Sequence, residues 1–556
     1  MLASGVDCAV IIIGGGPCGL MLAIELGRRG VATIVLDEKT SPARFPQANA
    51  TQARTMEHFR RLGFSERVRA QGLPADYPTD IAYFTRFTRH ELARFQLPTA
   101  RQAREVVKKL SGSWSAAELP HRVSQMYVER VLREEAEALA PVTILAGWRA
   151  TALQQDEAGA TVTAERSDGA EQRTFRALFL MGADSARSLT RKTLGCGYSG
   201  ESGVARDFMG GRMSAIYFRS GELYDLLPHA QAWMYWTVNH DRRSFMAAIN
   251  GRDEFTFHTQ LRRHEEEEEI SDRDAIGMFH AALGAELNVD LVSRSSWSAG
   301  YTLVAEKFRQ GRIFIGGDAA HLFTPTGGLG YNTAVEDAVN LGWKLAAVVN
   351  GWGGPALLDS YEIERRKIAV RNTTFARGFA DSVGLFVAPE ELEDDSPAGA
   401  AARQAAGDYL NRHARAEFNI PGVTFGGRYD GSPIIVPDGS SPPPDLANEY
   451  VPSASPGGRP PHLWTDEITS LFDLFGQEFT LLRFGPNPPA AEPFVAAAGA
   501  LGIPLAVVKV ASEAACGLYE ADLVLIRPDQ IVAWRGNEAS NATGVLRRVT
   551  GYPEQQ

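Results

Sequence analysis

Apolar residues follow three rhythms along the chain. Short unbroken runs, such as "CAVIII" (8–13) and "GRIFI" (311–315), predict strands buried on both faces. Residues 205–260 alternate with period two and predict sheet. In "WMYWTVN" (233–239), Trp233, Tyr235 and Thr237 fall on one face, and Met234, Trp236 and Val238 on the other. Spacings of three and four in "SQMYVERVLREEAEALA" (124–140) place Val128, Val131 and Leu132 on one side of an amphipathic helix.

The order of these elements predicts an α/β architecture. Strand 8–13, a glycine turn, a helix over about 17–29 and strand "ATIVL" (32–36) make a βαβ opening. A helix follows at 50–63, a strand ends at the acid of "RALFLMGAD" (176–184), and helices occupy the region near 329–382. "HEEEEEI" (264–270) reads as a solvated helix face. An Ala/Gly-rich stretch (398–407) and Pro-rich ones (437–445, 453–462) read as linker or wrapping segment. Beyond them, 479–485, 490–502, 504–510 and 521–536 form a small α/β unit ending in a hairpin. No internal repeat is visible.

Composition narrows the class. With 556 residues, 44% hydrophobic and 22% charged, this is an ordinary globular chain of roughly two to four domains. A net charge of −11 argues against nucleic acid and anionic membrane as partners. No apolar run is long enough to span a bilayer, and the first ten residues lack the basic start of a secretion signal. The four cysteines (Cys8, Cys18, Cys196, Cys516) make neither a disulfide framework nor a metal motif, and a reducing cytoplasm suits them.

Two glycine-rich strand–turn–helix junctions carry the chemistry. The first, Gly14-Gly15-Gly16-Pro17-Cys18-Gly19, fits GxGxxG through Gly14, Gly16 and Gly19. These glycines serve a tight turn, access for pyrophosphate and close helix–strand packing. Asp37 ends the next strand and is the preferred partner of ribose hydroxyls; Glu38 is the alternative. The second junction, "GGDAAHLFTPTGGLGYNTAVEDAVNLGWKLA" (316–346), lacks a complete dinucleotide fingerprint. It offers one carboxylate, Asp318, and a helix N-terminus after Gly327, Gly328 and Gly330. These suit the far end of the same ligand, with Asp318 on a ribityl-type hydroxyl and the helix dipole toward a ring carbonyl. A dinucleotide carrying an electron-accepting ring is FAD.

With these motifs in place, the chain resembles the class A flavoprotein aromatic hydroxylases, the para-hydroxybenzoate hydroxylase/phenol hydroxylase family, and within it members with an added thioredoxin-like domain. "NATQARTMEHFRRLG" (49–63) resembles the family's N-A-R-T-M-E helix, and Gln125 a glutamine on the flavin side of the cofactor. "GADSARSLTR" (182–191) resembles GADGARSxVR, whose acid and arginine, here Asp184 and Arg187, serve FAD and nicotinamide. Residues 316–346 and "SYEIERR" (360–366) extend the match over most of 8–382. Two departures stand out: Ser185 where the family has glycine, and Tyr331 where many relatives carry methionine.

The resemblance implies a discontinuous, doubly wound (Rossmann-like) FAD domain (1–80, 110–200, 290–395). It also implies an inserted β-sheet substrate domain (81–109, 201–289), a linker (396–462) and a thioredoxin-like domain without CxxC (463–556). It implies FAD with NADPH or NADH as reductant, and a flavin C4a-hydroperoxide that hydroxylates a phenolic or polycyclic aromatic with O2. Gly328, Gly330, Tyr331 and Asn332 join the cofactor set, and Pro325 shapes the ring edge. Tyr217, Trp233 and Tyr235 are the substrate candidates, with Pro325, Tyr217 and Tyr235 as catalytic ones. His321 is read as a structural hydrogen-bonding residue. A homodimer is compatible. The competing readings are a flavin oxidase or dehydrogenase and a non-catalytic flavin-binding protein; a halogenase lacks its expected WxWxIP signature.

Overall fold

Five parallel strands form the spine of the molecule, in the order Ile313–Ile315, Gln172–Gly182, Cys8–Ile13, Thr33–Asp37 and Val142–Ala146. They explain the unbroken apolar runs: Cys8–Ile13 is buried at every position, between strands on both sides and helices on its faces. An antiparallel pair, Trp148–Gln155 and Ala160–Arg166, extends the sheet from Gln172–Gly182. The structure is a computed structural model and describes residues 5–41, 43, 45–203, 208–262, 264–265 and 269–553.

Helices Pro17–Gly27 and Leu329–Val349 lie against each other, and the contact needs a small residue. A Cβ on Gly342 would stand 2.5 Å from the Glu25 side chain. Helix Gln125–Glu137 flanks Pro17–Gly27 on its other side.

A seven-stranded sheet forms the second layer. Its order is Asp290–Ser298, Arg212–Arg219, Glu254–Gln260, Ser244–Ala248, Met234–Thr237, Ile81–Phe84, Glu91–Phe95. All neighbours are antiparallel except Met234–Thr237 with Ile81–Phe84. Strand Asp290–Ser298 belongs here through its pairing with Arg212–Arg219, so the sheet domain reaches residue 298 rather than 289. Helix Asp272–Leu283 covers one face, with Phe279 4.7 Å from Phe218 and 5.4 Å from Phe257. The acidic run 264–270 is only partly described. His264 lies in a turn and Glu265 pairs with Arg242, while 266–268 fall outside the described residues.

The expected linker is substantially helical. Pro397–Phe418 is a 22-residue helix packed on strand Glu91–Phe95 and beside Asp359–Gly384. Its Ala/Gly richness, read as loop, supplies the small residues of a close contact: a Cβ on Gly407 would meet the Leu92 carbonyl at 2.3 Å. The Pro-rich part that follows is extended and wraps the FAD domain, tied by Arg459 to Glu57 at 2.6 Å.

The terminal unit is a βαβ followed by a hairpin and a helix, with strand order Leu505–Val510, Phe479–Phe484, Leu523–Ile526, Val532–Gly536. The first pair is parallel and the rest antiparallel, which is the thioredoxin-like arrangement. Helix Glu513–Tyr519 connects the βαβ unit to the hairpin, and Ala542–Val549 is the closing helix. Its core is continuous with the FAD domain, where Trp343 meets Phe479 edge-on at 5.7 Å.

Candidate active site

At the first junction each glycine has a distinct physical reason. Gly14 has φ +108°, and a Cβ there would lie 2.2 Å from the Ala183 carbonyl; one on Gly19 would lie 1.9 Å from the Gly14 carbonyl. These two close the turn. A Cβ on Gly16 would meet nothing within 4 Å, so Gly16 borders open space at the helix start, where an anion would approach backbone N–H groups. Pro17 occupies the first helical turn, where a missing N–H costs nothing. Asp37 packs against Gly15 and accepts a bond from Arg133 at 2.8 Å. Glu38 is exposed and turned toward Lys39 and Arg149 on the outer surface.

Asp318 is exposed at the second junction, and the protein packed around it raises its carboxyl above the usual range. Beneath it lies a buried cluster. His321 and Asp337 meet at 2.6 Å, Asp337 accepts from Gly317 N–H at 3.0 Å, and Arg365 donates to it at 2.8 Å. Burial alone would raise the Asp337 carboxyl; His321 and Arg365 outweigh it and hold it low. His321 therefore has the structural place expected of it. Asp337 and Arg365, which form the floor, lie within the matched segments 316–346 and 360–366 but were given no role there.

The turn that follows is clamped from three sides. Gly327 N–H donates to Glu417 at 2.9 Å, Gln52 Nε2 donates to the Gly327 carbonyl at 2.8 Å, and Thr326 Oγ1 donates to the Ala376 carbonyl at 2.6 Å. Gly327 and Gly328 take φ values of +70° and +64°, which glycine adopts at little cost. Pro325 is exposed at the mouth of this turn, and Gly330 faces Phe323. Glu417 comes from the helix read as linker. His413, one turn earlier, sits 2.9 Å from Glu417 and 3.0 Å from Ser382 Oγ.

Several candidates have their side chains committed to the scaffold. Asn332 accepts from Gln52 N–H (2.8 Å) and Thr55 Oγ1 (2.7 Å), and donates to the carbonyls of Gly328 (2.7 Å) and Ala50 (3.1 Å). It fixes the two cleft walls to each other, leaving its side chain no free bond for a ligand. Asp184 caps its own loop, accepting from Ser188 Oγ, Thr190 N–H and Thr190 Oγ1. Arg187 is exposed beside it. Gln125 donates its backbone N–H to Ala48 and its side chain to Glu129. Tyr331 Oη lies 3.4 Å from Thr51 Oγ1.

Ser185 adopts φ +65°, so it keeps the left-handed turn that glycine serves in the family. The conformation costs an L-residue roughly 1–2 kcal/mol, partly offset by the greater unfolded-state freedom of glycine. Ser185→Gly is therefore expected to raise the thermal midpoint of the holoenzyme; an unchanged or lower midpoint would show that the serine hydroxyl compensates.

Of the three aromatic candidates, Tyr217 lies on the face turned toward the FAD domain, whereas Tyr235 and Trp233 do not. Tyr235 points to the face covered by helix Asp272–Leu283, stacked on Phe84 (6.0 Å) and accepting from Ala232 N–H. Trp233 precedes the strand and packs with Phe418 under Arg122. The other face carries Trp236, stacked with Tyr83 at 5.9 Å, together with Phe245, His258 and Tyr217. This face meets the FAD domain through Phe45, which lies 6.5 Å from Tyr217 and 6.4 Å from His258. Period two identified both sets, but only the position of the covering helix decides which is turned inward.

An open backbone cradle at Gly16, Asp37 at a strand end and exposed Asp318 at the second turn fit a long dinucleotide held at both ends. Residues 7–376 match the FAD binding domain family, and residues 453–553 match the aromatic-ring hydroxylase C-terminal family. The chain belongs to the FAD-dependent aromatic-ring hydroxylases. The FAD-dependent monooxygenase apdD of Emericella nidulans is 30% identical over 98% of this chain and 90% of its own. Aklavinone 12-hydroxylase RdmE of Streptomyces purpurascens is 30% identical over 97% and 98%. Among solved structures, the rebeccamycin biosynthetic enzyme RebC with bound 7-carboxy-K252c superimposes with a TM-score of 0.88, at 31% identity over 99% of this chain and all of its own. The hydroxylase is an FAD enzyme that uses NAD(P)H, and no helix of its described residues is long and apolar enough to cross a membrane.

Proposed function

We propose that the hydroxylase inserts one oxygen atom of O2 into a phenolic or polycyclic aromatic ring held between the turn Thr324–Gly330 and the sheet face of Trp236, Phe245, His258 and Tyr217. That aromatic face, which meets the FAD domain through Phe45, carries the reading. FAD, when bound, supplies hydride acceptance and oxygen activation. The chain supplies position and exclusion of water. Gly14–Gly19 and Asp37 would hold the adenosine diphosphate half, and Asp318 the ribityl chain. The start of helix Leu329–Val349 presents its positive end to the ring, where it favours developing negative charge. Gln52, Ala376 and Glu417 keep the intervening turn rigid, so substrate meets a preformed edge. The free cysteines support a cytoplasmic location.

Asp318→Ala is expected to lower FAD content on purification by about tenfold or more, the effect of losing a charge-assisted hydrogen bond in a desolvated site. The ratio of flavin to protein absorbance reads it. Full FAD content with unchanged turnover would remove Asp318 from the cofactor site.

A further inference from the structure

Beside the sheet lies a cavity of about 200 Å3 that shares no residue with either glycine junction. Its walls come from helix Ala100–Val106, the loop Leu119–Arg122 and the end of helix Pro397–Phe418. The lining is mostly apolar, with Leu73, Leu97, Leu110, Trp114 and Phe418 among others, and its polar members are Thr79, His121, Arg122 and Asn419. One charged group borders it, Arg122.

Arg122 is 8% exposed, and its guanidinium has no hydrogen bond or carboxylate partner among the described residues. It lies over the ring of Trp233, 4.1 Å from the centroid. The buried arginines elsewhere are different. Arg365 holds Asp337, Arg459 holds Glu57 and Arg527 holds Glu364. A buried cation without a counter-ion is costly, and the burial shows in its pKa, pushed down to about 10 with no acid opposing. His121, the other titratable group on the wall, is kept neutral by the same burial, its pKa pushed down to about 3. The cavity therefore presents one fork of donors at the side of an apolar chamber, an arrangement matching a carboxylate attached to an apolar body.

We propose that this cavity binds an organic carboxylate, its carboxyl on Arg122 and its apolar part against Leu97, Leu110, Trp114 and Phe418. The carboxylate belongs either to a tail of the aromatic substrate or to a separate acid. The two sources differ in reach. Thr51 and His121 exchange backbone hydrogen bonds of 2.9 and 2.8 Å, and Thr51 Oγ1 lies 3.4 Å from Tyr331, so one layer of backbone separates cavity from cofactor cleft.

The test uses FAD-loaded enzyme and 2-naphthoate, with 2-naphthamide as the uncharged control, read by calorimetry. Wild type is expected to bind the acid at least about tenfold more tightly than the amide. Arg122→Met, which keeps length and apolar packing, should reduce the preference to none while retaining FAD and an equal or higher thermal midpoint. Leu110→Trp, which adds bulk to the apolar wall of the chamber, should abolish binding and covers the case in which Arg122→Met does not fold. A change in the flavin absorbance on binding assigns the carboxylate to a substrate tail, and an unchanged spectrum to a separate acid. Equal affinity for acid and amide, no binding to wild type, or undiminished binding to Leu110→Trp would overturn the proposal, whatever the fate of the hydroxylase reading.

Discussion

Asp337→Ala is expected to cost about 3–5 kcal/mol, the range for removing one member of a buried ion pair, and to release FAD with it. The carboxylate holds His321, Arg365 and the Gly317 N–H together under Asp318, all without access to water. Without it, two side chains and one backbone donor lose their acceptor at once. Asp337→Asn keeps the shape and should cost less. Denaturant unfolding and flavin retention measure both. The acid dependence has a fixed sign. Because the folded carboxyl is held below its ordinary value, its contribution is complete above about pH 4 and is lost as pH falls through the folded value. An alanine variant with wild-type stability and FAD content would mean that Arg365 and His321 find other acceptors.

The second large effect is expected at the docking of the terminal domain. Arg527 donates to both oxygens of Glu364 on the FAD domain, at 2.7 and 2.9 Å, and to Asp529 at 2.6 Å, all buried. Glu364 also accepts from Lys344 at 2.7 Å, and its carboxyl is held far below the usual range despite burial. Arg527→Ala leaves this pair of acids short of one cation, again about 3–5 kcal/mol. The stacked and edge-on contacts of Trp343, Trp352 and Phe479 remain, so the domain should loosen rather than separate. Limited proteolysis in the Pro-rich stretch 437–445 should accelerate accordingly; unchanged protection would assign docking to the apolar contact alone. Glu57, clamped by Arg459, adds an acid-sensitive part. Its carboxyl is lowered to about 2, so this tie is complete above about pH 4.5 and fades between there and pH 2.

The elements around glycine turns were legible in the sequence because their constraints are local. Gly14 and Gly19 must be glycine for reasons of backbone and neighbour, Gly16 leaves the helix start open, and Asp37 ends its strand by position alone. Sheet membership at the edges was not legible: Asp290–Ser298 joins the substrate sheet by pairing with Arg212–Arg219, far away in sequence, where no local pattern reaches. Helix Pro397–Phe418 was missed because alanine and glycine supply no apolar stripe, although they allow its close approach to Leu92. With it went Glu417, whose bond to the Gly327 N–H no local pattern announces. Tyr235 and Trp236 show the limit of periodicity. Alternation separates two faces, and tertiary packing alone chooses the inward one.

The most direct test is turnover of the FAD-loaded enzyme with NADPH, then NADH, under isotopically labelled O2, across a series of phenols and polycyclic phenols. The expected result is nicotinamide oxidation strongly stimulated by one class, with one labelled oxygen atom in the product for each nicotinamide consumed. Oxidised product without labelled oxygen would contradict the hydroxylase reading, as would release of peroxide alone with every compound of the series.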